Sequence, residues 1–305
     1  MQKYALQRFF QSVLALLFLT MIVFAMTHAT GDSVNMLVHE EATLEDVERV
    51  RKSLGLDKPL VIQYFVYLGD LARGDLGDSL RERRPATEIL KERIPATFQL
   101  GLVATLFATM IAIPVGVLSA VKRGTVVDLM ARLFALLGQA VPPFWLGIVL
   151  ILIFSVTLGL LPVAGNKGPL SFVLPAITAG WYMSAGMMRL TRSAMLEVLD
   201  SEYVKLARAK GASRRTVIWK HAFRNTLIPV VTFGGMMLAG LLHGIMVVEM
   251  VFAWPGLGRA ALQGVYERDT SVVQATILVF ALLYLGMNFI VDILYAYIDP
   301  RIRYN

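Results

Sequence analysis

The side chains best suited to chemistry are few in this sequence, and their spacing excludes most of what such groups usually do. The four histidines, His28, His39, His221 and His243, show neither H-E-x-x-H nor any other paired ligand spacing, so a protein metal site is not expected. With zero cysteines there is no thiolate zinc site, Fe–S cluster, disulfide framework or thiol nucleophile. Gly165-Asn166-Lys167-Gly168 lacks the G-x-x-x-x-G-K-[ST] spacing and the hydroxyl that opens the following helix. A nucleotide phosphate-binding loop is therefore not expected in this chain. Glu249 and Asp292 are the acids set deepest among apolar residues, where an unpaired charge facing lipid costs at least about 2.5 kcal/mol. Each must face protein or water, and with no further ionisable residues in series, structural pairing is expected over a proton relay. His243 is open to two readings, a helix-packing side chain or a group lining a path.

These residues sit in a strongly apolar chain. Of 305 residues, 56% are hydrophobic and 17% charged, and the mean hydropathy is +0.63. Soluble domains carry about 25% charged residues, so too little polar surface remains here to cover a soluble globule. A polytopic membrane protein is expected. Six stretches meet the need for about 20 mostly apolar residues per crossing. They are Phe9 to Thr27, Ala96 to Val121, Leu133 to Leu161, Leu170 to Met188, Leu227 to Val248 and Val272 to Tyr297. Pro142-Pro143 interrupts the third, freeing carbonyls that a kink or a cavity wall must satisfy.

The net charge of +7 is unevenly placed. With the N-terminus inside, Lys and Arg gather in the inner segments, from Lys3 and Arg8 through the Lys205 to Arg224 stretch to Arg301 and Arg303. The short outer loops hold only Lys167, Arg259 and Arg268. This positive-inside bias places both termini in the cytoplasm and accounts for the basic balance without nucleic acid. The first apolar run is longer than a signal peptide's core of about 7–15 residues and is expected to be retained.

Two segments between spans carry structure. The outer one, about Thr30 to Pro95, is expected to hold a helix from Thr43 to Leu54 ended by Gly55, and a second starting at Pro59 and ending at Gly74. The inner one, residues 201–225, predicts a helix over Glu202 to Lys210, a left-handed turn at Gly211, and a second helix capped by Ser213 and containing Val217, Ile218, His221 and Ala222. Such a basic hairpin suits either anionic lipid or a docked protein. In the fifth span, Gly234, Gly235, Gly240 and Gly244 supply low-bulk positions, with Gly240 and Gly244 spaced as a small-xxx-small pair. They serve either static packing or a moving interface, and Gly234, Gly240, His243 and Gly244 are the pathway candidates.

Ala207-Arg208-Ala209-Lys210-Gly211, then His221-Ala222-Phe223-Arg224-Asn225 and Leu227-Ile228-Pro229, resembles the cytoplasmic coupling segment of binding-protein-dependent ABC importer permeases, most closely the dipeptide/oligopeptide/nickel branch. Matching pieces extend along the chain: Gly74-Asp75-Leu76-Gly77, Ile113-Pro114-Val115-Gly116-Val117, Arg189-Leu190-Thr191-Arg192-Ser193, Trp254-Pro255-Gly256-Leu257-Gly258-Arg259 and Asp299-Pro300-Arg301-Ile302-Arg303-Tyr304. One departure stands out: where the wider family often has Glu-Ala-Ala and then Gly, this chain has Lys205, Leu206, Ala207 and Gly211.

The resemblance implies an all-α polytopic permease of six transmembrane helices with a helical outer segment, the type I importer architecture. Residues 1–94 would form the first transmembrane helix and outer segment, 95–298 a five-helix core, and 299–305 a cytoplasmic tail. It further implies a second permease subunit, two ATPases that hold ATP and Mg, an extracytoplasmic solute-binding protein, and residence in the bacterial inner membrane. Glu202, Lys205, Ala207, Arg208, Ala209, Lys210, Gly211 and Ser213 would face the ATPases, and Trp254, Pro255, Gly256, Leu257 and Gly258 the outer partner. Peptides or similar small solutes would be the cargo. A self-sufficient secondary transporter is the alternative, but it calls for inverted repeats around a midplane charge cluster that the sequence does not display. An intramembrane enzyme would need paired catalytic groups at membrane depth, and none are found.

Overall fold

The computed structural model describes residues 2–30, 48, 52, 57–79 and 81–298, with side chains other than those of 2–4, 27, 29–30, 238–239, 241–243 and 294–298. Among the described residues the secondary structure is helical, with one isolated antiparallel bridge between Asp78 and Pro85. The elements are α1 (Gln2–Thr30), α2 (Leu60–Ala72), α3 (Ala86–Val121), α4 (Val126–Ala140), α5 (Pro143–Leu150), α6 (Val173–Leu199), α7 (Glu202–Ala209), α8 (Arg214–Thr216), α9 (Arg224–Val251), α10 (Leu257–Tyr266) and α11 (Thr270–Ile298). Wider π-helical turns follow α5 over Ile151–Thr157 and α8 over Val217–Phe223.

Length and apolarity single out Ala5–Met26, Ala86–Val121 and Thr270–Ile293 as able to cross a membrane, and a fourth crossing if α4 and Pro143–Thr157 count as one broken span. That pair is bent by 108° at Pro142-Pro143. Pro142 is extended and Pro143 opens the new helix, the first-turn position where a missing N–H costs nothing. The other two expected stretches fall within α6 and α9, helices of 27 and 28 residues that are about 40 Å long at 1.5 Å per residue but are not among those singled out. The expected helix at Pro59 is α2, whereas the expected Thr43 to Leu54 helix lies outside the described residues except for Glu48 and Lys52, both helical.

The chain divides into two compact units. The first, Pro95–Arg259 with Gly286–Asn305, has a core of Leu100, Ala104, Ala108 and Ala112 from α3, Met183, Met187 and Met188 from α6, and Val230, Ile245 and Val248 from α9. The four-residue spacing on α3 puts Leu100 and the three alanines on one stripe, and all four are fully buried. Small side chains let α3 and α6 approach closely: a Cβ on Gly180 would stand 2.6 Å from the Ala104 carbonyl oxygen. The second unit, Gln2–Ile94 with Ala260–Leu285, joins α1 to α2 through Thr20 Oγ1 and Tyr64 Oη at 3.0 Å and His28 Nε2 and Gln63 Oε1 at 2.9 Å.

Candidate functional site

The inner hairpin begins where α6 ends. Helix α7 closes on Gly211, whose φ of +82° is a left-handed value that a residue without Cβ adopts at little cost. The Gly211 N–H donates to the Arg208 carbonyl at 3.0 Å and the Ala212 N–H to the Ala207 carbonyl at 3.1 Å, the paired bonds of a Schellman C-cap. Nothing lies within 4 Å of a Cβ built on Gly211, so backbone conformation, and no contact in this chain, sets the demand for glycine. Ser213 then caps the next helix by accepting from the Thr216 N–H at 3.3 Å.

The hairpin is anchored by an apolar underside. Val204, Val217 and Ala222 are buried against Val117 and Ala120 of α3 and Met195 and Leu199 of α6. Tyr203 adds a polar tie, accepting from the Asn225 side-chain amide at 2.6 Å and donating to the His221 carbonyl at 3.3 Å. Glu202, Lys205, Arg208, Ala209, Lys210, Gly211 and Ser213 are exposed, and Ala207 is half-buried. Glu202 and Lys205 bond each other at 2.8 Å, so one acid and one base of the tip neutralise locally. Leu206 and Trp219 are also exposed, at 56% and 49%, setting apolar surface among the basic residues. Beside this packed underside an open cavity of about 500 Å³, lined by Ala120, Leu199, Arg208 and Val217 among others, lies between the hairpin and the ends of α3 and α6.

The pathway candidates are less uniform. A Cβ on Gly234 would stand 2.7 Å from Met187 Cε, so Gly234 is a packing position between α9 and α6. Gly240 and Gly244 are exposed, with nothing within 4 Å of their built Cβ positions. His243 belongs to α9, and its side chain is outside the described ones.

At the other end of α9 the chain turns a buried corner. Trp254 and Leu257 are fully buried, Gly256 and Gly258 are buried, and Pro255 is half-buried. The indole Nε1–H of Trp254 donates to the Ala96 carbonyl at 2.9 Å, and its ring stacks edge-on against Phe172 at 4.6 Å. Glu249, also fully buried, accepts from Thr97 Oγ1 and from the Gly258 N–H, each at 2.6 Å, and from the Arg259 N–H at 3.3 Å. It thus caps the N-terminus of α10 with an acidic group where the helix dipole favours one. The outer candidates Trp254 to Gly258 are thus buried or half-buried, while the neighbouring Arg259 is exposed.

A second buried acid escaped sequence reading. Asp128 of α4 accepts from Arg192 of α6 at 2.7 and 3.1 Å, from Ser119 of α3 at 2.7 Å and from the Gly124 N–H at 3.1 Å. This two-pronged pair ties three helices at one level. Among the described residues no group of three or more His, Cys, Asp or Glu could hold a metal ion.

Comparison with known proteins places this architecture. Residues 112–304 match the family described as binding-protein-dependent transport system inner membrane component, and residues 1–101 match its N-terminal companion. Over all 305 residues the chain is 39% identical to the glutathione transport system permease protein GsiC of Escherichia coli (strain K12) and 40% identical to that of Pectobacterium atrosepticum, covering 100% of each. An inward-facing MetNI methionine ABC transporter chain shares the fold at a TM-score of 0.55 and 22% identity, over 69% of this chain and 96% of that one. A chain of an amino acid ABC transporter does so at 0.53 and 14%, over 69% and 94%.

Proposed function

The chain belongs to the inner-membrane permease family of binding-protein-dependent ABC importers, and from that membership we propose that it forms half of a translocation pathway for glutathione-like peptides, driven by two cytoplasmic ATPases. It is a multi-pass permease subunit of the inner membrane, and nothing supports the secondary-transporter alternative. The observation that carries the proposal is the hairpin: an exposed charged tip, closed by Gly211, with an apolar underside packed on the ends of α3 and α6. In this reading both termini lie in the cytoplasm and the hairpin enters a groove on an ATPase that binds ATP and Mg. Closure of the two ATPases pushes the tip, and the helices rock from inward-open to outward-open. A second permease subunit completes the path, and a solute-binding protein delivers cargo at the Arg259 corner. ATP shifts this equilibrium only by its differential affinity for the two states.

The experiment is reconstitution. Affinity-purified chain from its native host should bring down two ATPases, a second permease and, in the presence of solute, a binding protein. Proteoliposomes holding the complex should accumulate labelled glutathione only with ATP on the ATPase side. Uptake by the lone chain, or a purified chain without ATPases, defeats the reading.

A further inference from the structure

Between α4, α6 and α9 lies an open cavity of about 740 Å³ whose lining includes Arg132, Gln139, Tyr182, Arg189, Arg192 and Phe233. The volume falls in the range of about 300–1,000 Å³ that holds small ligands. Its charge is unbalanced. Arg192 is paired with Asp128 at 2.7 Å, and Arg132 reaches the same carboxylate at 3.8 Å, so three guanidiniums are set against one acid. Arg189 has no carboxylate within ion-pairing distance among the described residues. Its hydrogen-bond partner is neutral, the Gln139 Oε1 at 2.7 Å.

That bond is informative in itself. Gln139 spends its acceptor on Arg189, and its amide N–H₂ then points to no protein acceptor among the described residues; the Tyr182 hydroxyl likewise has none. Both side chains are exposed to the cavity, as is Arg189. The result is a cluster of guanidinium, amide and phenol donors with no carboxylate of its own, beside the apolar faces of Phe233 and Met237. A guanidinium held in place by a side-chain amide retains the planar fork that matches a carboxylate.

We infer that Arg189, Gln139 and Tyr182 form an anion subsite that receives a carboxylate of the transported solute on the inner side of the pathway. The inference rests on the permease reading above and deepens it by naming the group of the cargo that is recognised and the residues that recognise it. Arg189 is the specificity residue, Gln139 orients it, and Phe233 and Met237 bound the apolar part of the solute.

The zero-cysteine sequence makes a direct test possible. Ser193, exposed and lining the same cavity, is replaced as Ser193→Cys in the assembled complex in nanodiscs, and this chain's modification is followed by mass spectrometry. Rates are compared for an anionic sulfonatoethyl and a cationic trimethylammonioethyl methanethiosulfonate, each normalised to its rate with a free thiol. The anionic reagent should react about fivefold faster or more, as expected where uncompensated charge concentrates an anion. Adding Arg189→Gln should remove most of that preference, while Arg189→Lys retains it. S-methylglutathione should slow the anionic reagent, and its dicarboxamide should not. Equal normalised rates, protection that survives Arg189→Gln, equal protection by acid and amide, or rates that follow the anionic lipid content of the nanodisc in place of solute each overturn the subsite. Retention of the ATPases on the same samples keeps its failure separate from failure of the permease reading.

Discussion

Thr97 and Glu249 stand 152 residues apart in sequence and meet through a 2.6 Å hydrogen bond at the buried end of α9. Thr97 also accepts from the Leu257 N–H at 2.8 Å, so one hydroxyl links the start of α10 to the acid that caps it. A Cβ on Gly258 would stand 2.6 Å from Met246 Cα and 2.9 Å from Glu249 Oε2, which explains why the capped turn is built on glycine.

Glu249→Ala strands the Thr97 hydroxyl and the Gly258 N–H in a buried corner, at about 1–3 kcal/mol for each unsatisfied group. Glu249→Gln keeps an acceptor and should lose less. Thermal unfolding of the purified complex in detergent is the check, with the order wild type, Gln, Ala. Equal melting of all three would show that the cap contributes nothing.

Asp128 and Arg192 make a comparable prediction with a different signature. Breaking the pair from one side leaves the other charge without its partner, so Asp128→Asn or Arg192→Gln should destabilise, by less than the ~3–5 kcal/mol of a fully buried pair because Arg192 is partly exposed. The double replacement Asp128→Leu with Arg192→Met should recover much of that loss, since well-packed apolar residues often substitute for a buried pair at little cost. A double variant as unstable as the sum of the singles contradicts the coupling. The readout is the denaturation midpoint of the complex, not transport, because Arg192 also lines the cavity beside Arg189.

The local features of the fold were legible in the sequence. Gly211 follows a run of good helix formers from Glu202 to Lys210 and precedes the capping Ser213, and its left-handed φ of +82° agrees with that reading. Pro142-Pro143 marks a break in the sequence, and the structure bends there by 108°, an angle that no local pattern specifies. Structural pairing of Glu249 was expected, but Thr97 as a partner was not, because nothing local links a threonine and a glutamate 152 positions apart. Asp128 and Arg192, 64 apart, were missed for that reason. The outer role of Trp254 to Gly258 comes from the family resemblance alone, and no local pattern signals that the Trp254 indole is buried on the Ala96 carbonyl, 158 positions away.

That burial redirects the outer-docking prediction. Leu257 is fully buried and a poor crosslinking position, whereas Arg259 is exposed at the same corner. A photoreactive residue replacing Arg259 should capture the solute-binding protein in membranes supplied with solute. One at Ala209, exposed on the hairpin tip, should capture an ATPase from the opposite side. Capture of the ATPase from both positions would be incompatible with the proposed topology.

Gly211→Val tests the coupling assignment most directly. The turn demands a left-handed backbone, which a β-branched side chain adopts poorly, and the empty surroundings of Gly211 mean that no steric clash within this chain confuses the result. The Schellman bonds from Gly211 and Ala212 would be strained, and the tip would lose its angle relative to the packed underside of Val204 and Val217. The span-length helices form independently of this turn, so insertion and abundance should match wild type. Association of the ATPases should weaken, or hydrolysis should become independent of solute, and transport should fall by about tenfold or more, a loss equivalent to at least about 1.4 kcal/mol of coupling free energy. Gly211→Asn is the companion variant, because asparagine tolerates the left-handed region better than valine and should retain much of the transport. If Gly211→Val in a fully assembled complex transports and responds to solute as wild type does, the hairpin tip is not the coupling element, and an anionic-lipid contact becomes the better account of its basic surface.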